Sequence, residues 1–436
     1  MDTRPAASTG PHWQAPVADG PVRAAVTLPG SKSMTNRALV LAALADGPSL
    51  VGNPLRARDT LLMAGALTAL GAAVGTGAGG SGWAISPGQP AGDTRVDVGN
   101  AGTVMRFVPP VAALTAAAVQ FHGDSRASQR PVGPLLTALR ELGAVVDDGG
   151  RGAVPFTVRG TGSLAGGAVT VDASASSQLV SGLLLAAPRY AKGVEVRHRG
   201  PRLPSAPHIA MTVQMLRDAG AEVEASGGPA GTWRVYPGTV RHGTFPVEPD
   251  VVNSGPFLAA ALVTGGTVTI RDWPVRTSQP AGPLLDLLTT LGGRCEVTGG
   301  GLTVTGTGTI HGVTADLGDL PEMTPVVAAL ATLADGPSRL TGVGHIRQQE
   351  TDRLAALATE LNALGGDVRE LPDGLVIRPR PLRGGVFASY HDHRLVMAAA
   401  VLGLAVPGIE VAGAATVGKT FPEFTSLWPA TLAGAP

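Results

Sequence analysis

Six short polar clusters in this 436-residue chain carry the residue types that could do chemistry, and each opens an apolar helical stretch. Three read Ser31-Lys32-Ser33-Met34-Thr35-Asn36-Arg37, Asn100-Ala101-Gly102-Thr103-Val104-Met105-Arg106 and Ser176-Ser177-Gln178. The others are Asp250-Val251-Val252-Asn253-Ser254, Pro321-Glu322-Met323-Thr324 and Tyr390-His391-Asp392-His393-Arg394. A helix start presents unpaired N–H groups and about half a positive charge, so Ser, Gly, Lys and Arg there form an anion cradle. Ser, Thr, Asn and Asp are also ordinary caps, and one such cluster alone is more often structural than functional. Lys32, Arg37, Arg106 and Arg394 shift that balance, because the macrodipole disfavours cations in a first turn. Capping alone does not account for them; a bound anion would.

Three further segments add cations. Arg126 to Pro131 (RASQRP) holds two guanidinium groups before a Pro-initiated helix, Arg347 to Arg353 (RQQETDR) precedes another, and Lys419 lies in VGKTFP. Their plain readings are solvated surface, a charge network at a helix start and an ordinary surface lysine. None is specific by itself.

Composition limits the partners. Lys plus Arg and Asp plus Glu number 33 each, so no global field draws nucleic acid or an anionic membrane, and any basic site is local. One cysteine, Cys295, excludes an intramolecular disulfide and any multi-Cys metal site. With neither metal cluster nor nucleotide loop, no metal and no cofactor are expected. The first twenty residues lack the apolar core of a secretory signal and read as a frayed polar leader. The longest apolar run, Leu395 to Val406, stops at Pro407, short of the roughly 20 residues a membrane crossing needs. A cytoplasmic protein is expected, with a monomer as the working assumption although the sequence leaves a dimer open.

The elements that must position these clusters repeat. AALADGPS at Ala42 to Ser49 returns as ATLADGPS at Ala331 to Ser338, and six similar helices end near Gly47, Ala116, Pro188, Gly265, Gly336 and Pro407. Between them runs a second phrase of helix, glycine and strand: Leu61 to Val74, Pro134 to Val146, Ile209 to Val223, Pro283 to Val297 and Leu354 to Val368. Leu135, Leu136, Leu139 and Leu142 show the amphipathic spacing, and Gly71, Gly143, Gly220, Gly292 and Gly365 fall where a left-handed C-cap is wanted. Six such α/β units exceed the roughly 250 to 300 residues one core supports, so two clusters of three are expected. Leu28-Pro29-Gly30 and Pro246-Val247-Glu248-Pro249 mark the boundaries.

Leu28 to Ser49 (LPGSKSMTNRALVLAALADGPS) with Gly99 to Phe107 (GNAGTVMRF) resembles the 5-enolpyruvylshikimate-3-phosphate synthase family of enolpyruvyl transferases. The resemblance continues in order through Arg130 to Leu135, Ser176 to Pro188, His345 to Leu354, Asp392 to Ala398 and Gly418 to Phe424. It implies two similar domains, each of three βαβαββ-type repeats in an inside-out α/β barrel, with a hinge and a cleft between them. By carry-over, 1–30 and 248–436 form a discontinuous first domain and 31–247 an inserted second. The implied reaction moves the enolpyruvyl group of phosphoenolpyruvate to the 5-hydroxyl of shikimate 3-phosphate, releases phosphate and needs no cofactor. Both substrates carry a carboxylate and a phosphate, which accounts for cations at helix starts in a net-neutral chain.

Position by position, the resemblance places Lys32, Ser33, Arg37, Ser176, Ser177, Gln178, Ser205, Glu322, His345 and Gln349 around shikimate 3-phosphate. Ser33 and Arg37 would hold the shikimate side, Ser176, Ser177 and Ser205 its phosphate, and Gln178 would lie over its ring. Lys32, Asn100, Gly102, Arg130, Gln178, Arg353, Arg394 and Lys419 would surround phosphoenolpyruvate, where glyphosate competes. A side chain at Gly102 would project into the space of that smaller anion. Glu322 is the implied base; Lys32 and Glu350 are candidates for proton transfer at carbon, with His393 supporting or sharing that role. This chain has Glu322 where Asp is commoner, His345 and Gln349 where relatives carry Asn and Lys, His208 in place of a Tyr, and Phe107 near a usual Pro.

The nearest alternative is the UDP-N-acetylglucosamine enolpyruvyl transferase, which carries a reactive Cys in a mobile loop; Asp124 to Pro131 has none. A fold relative, the RNA 3′-terminal phosphate cyclase, needs a nucleic-acid groove that a neutral chain with 4% aromatics does not favour. A non-enzymatic repeat scaffold, its helix starts merely capped, would show no saturable binding of small phosphates.

Overall fold

The computed structural model describes residues 11–77, 80, 82–226 and 231–434. The chain divides into two compact units, one running from Gly30 to Glu248, the other made of the chain up to Pro29 and from Pro249 onward. The Gly30–Glu248 unit holds helices α1 (Lys32–Leu44), α2 (Arg58–Ala69), α3 (Gly102–Ala112), α4 (Gly133–Glu141), α5 (Gln178–Ala186) and α6 (Ala206–Asp218). The discontinuous unit holds α7 (Gly255–Thr264), α8 (Ala281–Thr290), α9 (Thr324–Thr332), α10 (Arg353–Ala363), α11 (His393–Gly403) and α12 (Phe424–Leu432).

One repeat shows the plan. Strand Thr94–Asp97 leads through α3 to its parallel neighbour Ala118–His122. The chain then runs through α4 to the hairpin of Val145–Asp147 and Phe156–Arg159, whose second strand pairs antiparallel with Ala118–His122. The result is βαβαββ folded into one four-stranded sheet. Register sets Val96 beside Phe121 and Phe121 beside Phe156, whose rings stack with centroids 4.8 Å apart, so one sheet face becomes core.

Two sheets record how the chain crosses between units. Thr244–Pro246 pairs in parallel with Ser49–Gly52, so the last strand of the Gly30–Glu248 unit completes its first repeat. Arg23–Val26 pairs in parallel with Thr267–Ile270, so the other unit's first repeat spans the interruption.

Among the described residues there are five four-stranded sheets and one of three strands, which corrects the expectation of six equal repeats. In the sixth, Gly385–Ala388 and Ile409–Ala412 flank α11, but the chain then turns into a 3-10 helix, Ala414–Lys419, and α12, with no closing hairpin. Trp13–Gln14 supplies the third strand, antiparallel to Ile409–Ala412, and Ala15 N–H donates to Ile409 O at 3.0 Å. The frayed leader is therefore corrected from Trp13 on, since an open sheet edge offers it hydrogen bonds; residues 1–10 of that leader lie outside the described residues.

Within each unit the odd-numbered helices form the interior. Ala38 to Ala42 of α1 and Leu395 to Leu402 of α11 have no exposed surface, as helices apolar on every side require. The strands alternate buried and open positions, as in Trp83–Ser86, because one sheet face covers the helices and the other meets water. Helix α5 meets α3 backbone to backbone: a Cβ on Gly182 would lie 2.1 Å from Arg106 O. The glycines closing the second phrase have the left-handed backbone their spacing predicts, with φ of +96° at Gly71, +104° at Gly143 and +101° at Gly365.

Candidate functional site

In the Gly30–Glu248 unit, α1 and α3 start with no cap bond from the side chain at their N-cap positions, Ser31 and Ala101, whereas in α5 the Gln178 N–H donates to Ser176 Oγ at 3.3 Å and the Leu179 N–H to Ser176 O at 3.2 Å. The amides that open α3 are thus available to a ligand. Arg130 and Arg106 converge on the start of α3. A Cβ at Gly102 would lie 2.7 Å from Arg130 Nη2, 2.8 Å from Arg106 Nη1 and 3.1 Å from Gln178 Oε1. Within the protein itself, a side chain here would meet the pair of guanidinium heads and Gln178.

Arg130, 5% exposed, donates from Nη1 to Asn100 O at 2.8 Å and to Asn100 Oδ1 at 2.9 Å, and its Nε has no partner. It has no carboxylate partner among the described residues, so it is a buried cation held by neutral oxygens. Arg106 donates from Nη1 to Gln178 Oε1 at 3.2 Å and from Nη2 to Pro131 O at 3.2 Å, tying α3, α5 and the RASQRP segment together. Of that segment's two arginines only Arg130 turns inward; Arg126 is bonded to Gln129 on the exposed surface.

Lys32 Nζ lies 3.5 Å from Asp59 Oδ2. Arg37, in the second turn of α1 and not the first, gives Nε to Thr212 Oγ1, one Nη1 proton to Ser33 O, and Nη2 protons to Ser181 Oγ and His208 O. Four of its five donors are thereby committed, leaving one on Nη1. Its guanidinium sits 5.0 Å from the Phe107 ring centroid, and burial lowers its pKa to about 9, still charged at neutral pH. Arg37 therefore locks α1 to α5 and α6 as well as facing its neighbours. Ser205, at the start of α6, has left-handed backbone with φ +52°, and His208 is buried one turn later.

The other unit builds a cluster at the starts of α9, α10 and α11. Arg353, 2% exposed, donates from Nε to Asp392 Oδ2 at 2.7 Å, from Nη2 to Asp392 Oδ1 at 3.3 Å and to Glu350 Oε2 at 2.9 Å, and from Nη1 to Gln349 Oε1. Burial alone would lower the Arg353 pKa, but Asp392 and Glu350 outweigh it and hold the guanidinium firmly charged. Glu350 Oε1 accepts Lys419 Nζ–H at 2.7 Å, so the carboxylate bridges two cations.

Asp392 also caps α11 by accepting Arg394 N–H at 2.8 Å, and His393 Nδ1 lies 3.7 Å from its Oδ1. Arg394, 5% exposed, has its pKa lowered by burial, opposed mainly by the charges of Asp250 and Glu322. Glu322, in the 3-10 turn Pro321–Met323, thus stands near both Arg353 and Arg394. His345 lies in the 3-10 helix Gly344–Gln348. Arg347 binds Asp352 and Glu370 at 3.0 and 2.7 Å, a helix-start charge network.

Each unit therefore gathers its own set. Lys32, Ser33, Arg37, Asn100, Gly102, Arg130, Ser176, Ser177, Gln178 and Ser205 belong to the first; Glu322, His345, Gln349, Glu350, Arg353, His393, Arg394 and Lys419 belong to the second. The sequence reading left Arg106, Asp59 and Asp392 out of its site assignments. Arg106 and Asp392 stood inside the quoted clusters, and their signal was a charge at a helix start. Nothing in the spacing pointed to Asp59, which reaches Lys32 only through the packing of α2 on α1.

Fold and site together define a class: α/β proteins of repeated helix–sheet units that gather buried cations at helix starts, a chemistry for small polyanions. The pattern of the family described as EPSP synthase (3-phosphoshikimate 1-carboxyvinyltransferase) matches residues 17–428. The chain is 54% identical to the 3-phosphoshikimate 1-carboxyvinyltransferase of Kocuria rhizophila over 426 residues, 95% of each chain. It is 52% identical to that of Mycobacterium ulcerans over 431 residues, 97% of this chain and 98% of the other. The solved EPSP synthase of Acinetobacter baumannii is 25% identical, with a TM-score of 0.78 over 97% of this chain and 98% of its own. The enolpyruvyl transferase NikO of Streptomyces tendae, at 18% identity and a TM-score of 0.74 over 94% of this chain and 95% of its own, shares the fold. The chain belongs to the EPSP synthase family, and its activity is 3-phosphoshikimate 1-carboxyvinyl transfer. No helix among the described residues is long and apolar enough to cross a membrane.

Proposed function

We propose that the two half-sites hold one pair of substrates between them, in a hinged cleft that closes around shikimate 3-phosphate and phosphoenolpyruvate. Ser176, Ser177 and Ser205 take the shikimate phosphate, Gln178 covers its ring, and Ser33, Arg37, His345 and Gln349 meet the rest of that molecule. Lys32, Asn100, Gly102, Arg130, Arg353, Arg394 and Lys419 surround phosphoenolpyruvate, and glyphosate competes there. Domains of 31–247 and of 1–30 with 248–436, working as a cytoplasmic monomer, complete this reading.

The observation that carries it is Arg130: a buried guanidinium without a carboxylate, facing the uncapped start of α3. Such a cation is costly unless an anion arrives, and a phosphate or carboxylate there gains both the guanidinium and the backbone N–H groups. Chemically, Glu322 accepts the 5-hydroxyl proton as that oxygen bonds to C2 of phosphoenolpyruvate. C3 gains a proton from the set Lys32, Glu350 and His393. The tetrahedral adduct then loses phosphate and one C3 proton, leaving the enolpyruvyl ether. The cations stabilise the charge that develops on the adduct.

Lys32→Met tests this. The expected result is a fall in kcat of about 100-fold or more, read by phosphate release, with an unchanged circular dichroism spectrum. Undiminished turnover removes Lys32 from the mechanism.

A further inference from the structure

Helix α10 carries two buried charges on one face, and both act on the segment that leads into α11. Its first residue, Arg353, grips Asp392. Glu360, two turns further along, has no exposed surface. Glu360 Oε2 accepts Ala388 N–H at 3.0 Å, and Glu360 Oε1 accepts the Tyr390 hydroxyl at 2.8 Å. Between Ala388 and Asp392 the backbone does something rare: Tyr390 and His391, neither of them glycine, are both left-handed, with φ of +52° and +57°. Side chains seldom adopt that conformation once, and two in succession persist only where the surroundings impose it. The turn closes with Asp392 N–H donating to Ser389 O at 2.8 Å, which delivers Asp392, His393 and Arg394 directly into the first turn of α11.

We propose that Glu360 and Tyr390 are positioning residues for carboxyvinyl transfer. The buried carboxylate holds the left-handed pair in place and so fixes the angle at which Asp392 meets Arg353 and Arg394 faces its ligand. A carboxylate buried this deeply is expensive unless its acceptors are filled, and both oxygens are filled by this one segment, so the cost is tied to the geometry of the turn. The inference rests on the reading above that Arg353 and Arg394 hold phosphoenolpyruvate.

Tyr390→Phe removes one bond to the carboxylate and keeps the ring; Glu360→Gln keeps the shape but replaces one of the two acceptor oxygens by an amide NH2 that faces a donor, Ala388 N–H or the Tyr390 hydroxyl. Each is expected to raise KM for phosphoenolpyruvate about tenfold, the scale of a lost hydrogen bond to a charged group, with KM for shikimate 3-phosphate within about twofold of its starting value. Adding His391→Gly to Tyr390→Phe is expected to recover most of that loss, since glycine takes the left-handed conformation without help. The role is overturned by a folded Tyr390→Phe enzyme with unaltered KM for phosphoenolpyruvate, by no recovery from glycine, or by both affinities and kcat falling together, which marks packing alone. Arg394→Gln separates the two readings. If it leaves KM for phosphoenolpyruvate unchanged, the binding assignment fails; if it raises KM while Tyr390→Phe does not, only the positioning role fails.

Discussion

Gly102 shows how much one missing methyl group can govern. A Cβ there meets Arg130 Nη2 at 2.7 Å and Arg106 Nη1 at 2.8 Å, and both are the far ends of flexible side chains. Gly102→Ala is therefore expected to leave the fold intact, with stability changed by less than about 1 kcal/mol in a denaturant titration. Steady-state kinetics are expected to show KM for phosphoenolpyruvate raised about tenfold as the guanidinium heads move aside. The glycine itself was legible from its place at a helix start beside Arg106. Its neighbours were not, because Arg130 and Gln178 lie 28 and 76 residues away and only packing brings them over it. Buried pairs behave alike: that Glu350 bridges Arg353 and Lys419 depends on a contact spanning 69 residues.

Helices running through the middle of each unit impose a different kind of demand, since every polar group they carry inward must find a partner. Tyr190, 1% exposed just beyond α5, donates its hydroxyl to Pro110 O at 3.3 Å in α3. Burial pushes its phenol well above the ordinary value, so it stays protonated in the folded chain while an unfolded chain loses that proton above about pH 10. The unfolded state then binds fewer protons, and stability falls as pH rises, by up to about 1.4 kcal/mol per pH unit. Arg37, lowered to about 9 by burial, acts with the opposite sign, because the unfolded state then binds the extra proton. Urea titrations from pH 9 to 11 on the parent and on Tyr190→Phe isolate the phenol: the parent is expected to lose stability relative to the variant as pH rises, and parallel curves contradict the account. At this scale the sequence was readable, since helices apolar on every side and glycine-closed amphipathic ones repeat with plain periodicities. The sixth repeat escaped, because nothing local in Gly385 to Ala412 says that its third strand comes from Trp13–Gln14.

For the whole molecule, a chain with equal numbers of acids and bases binds polyanions only through local fields, and its ligands stabilise it by mass action. Shikimate 3-phosphate with phosphoenolpyruvate, each at about 100 times its Kd, is expected to raise stability by about 2.7 kcal/mol per ligand, read as an upward shift in thermal midpoint, and added salt is expected to shrink that shift. No shift would contradict binding at the cation clusters. By itself the sequence determined the repeat, the helix types, the left-handed glycine caps and the residue kinds at each helix start, because these follow from periodicity and local backbone preference within a few turns. Only the tertiary structure decided which cations are buried without a carboxylate, which are committed to protein oxygens, and which turn is held strained by a distant glutamate. Those outcomes depend on desolvation and on contacts between residues far apart in the chain, and no local pattern encodes them.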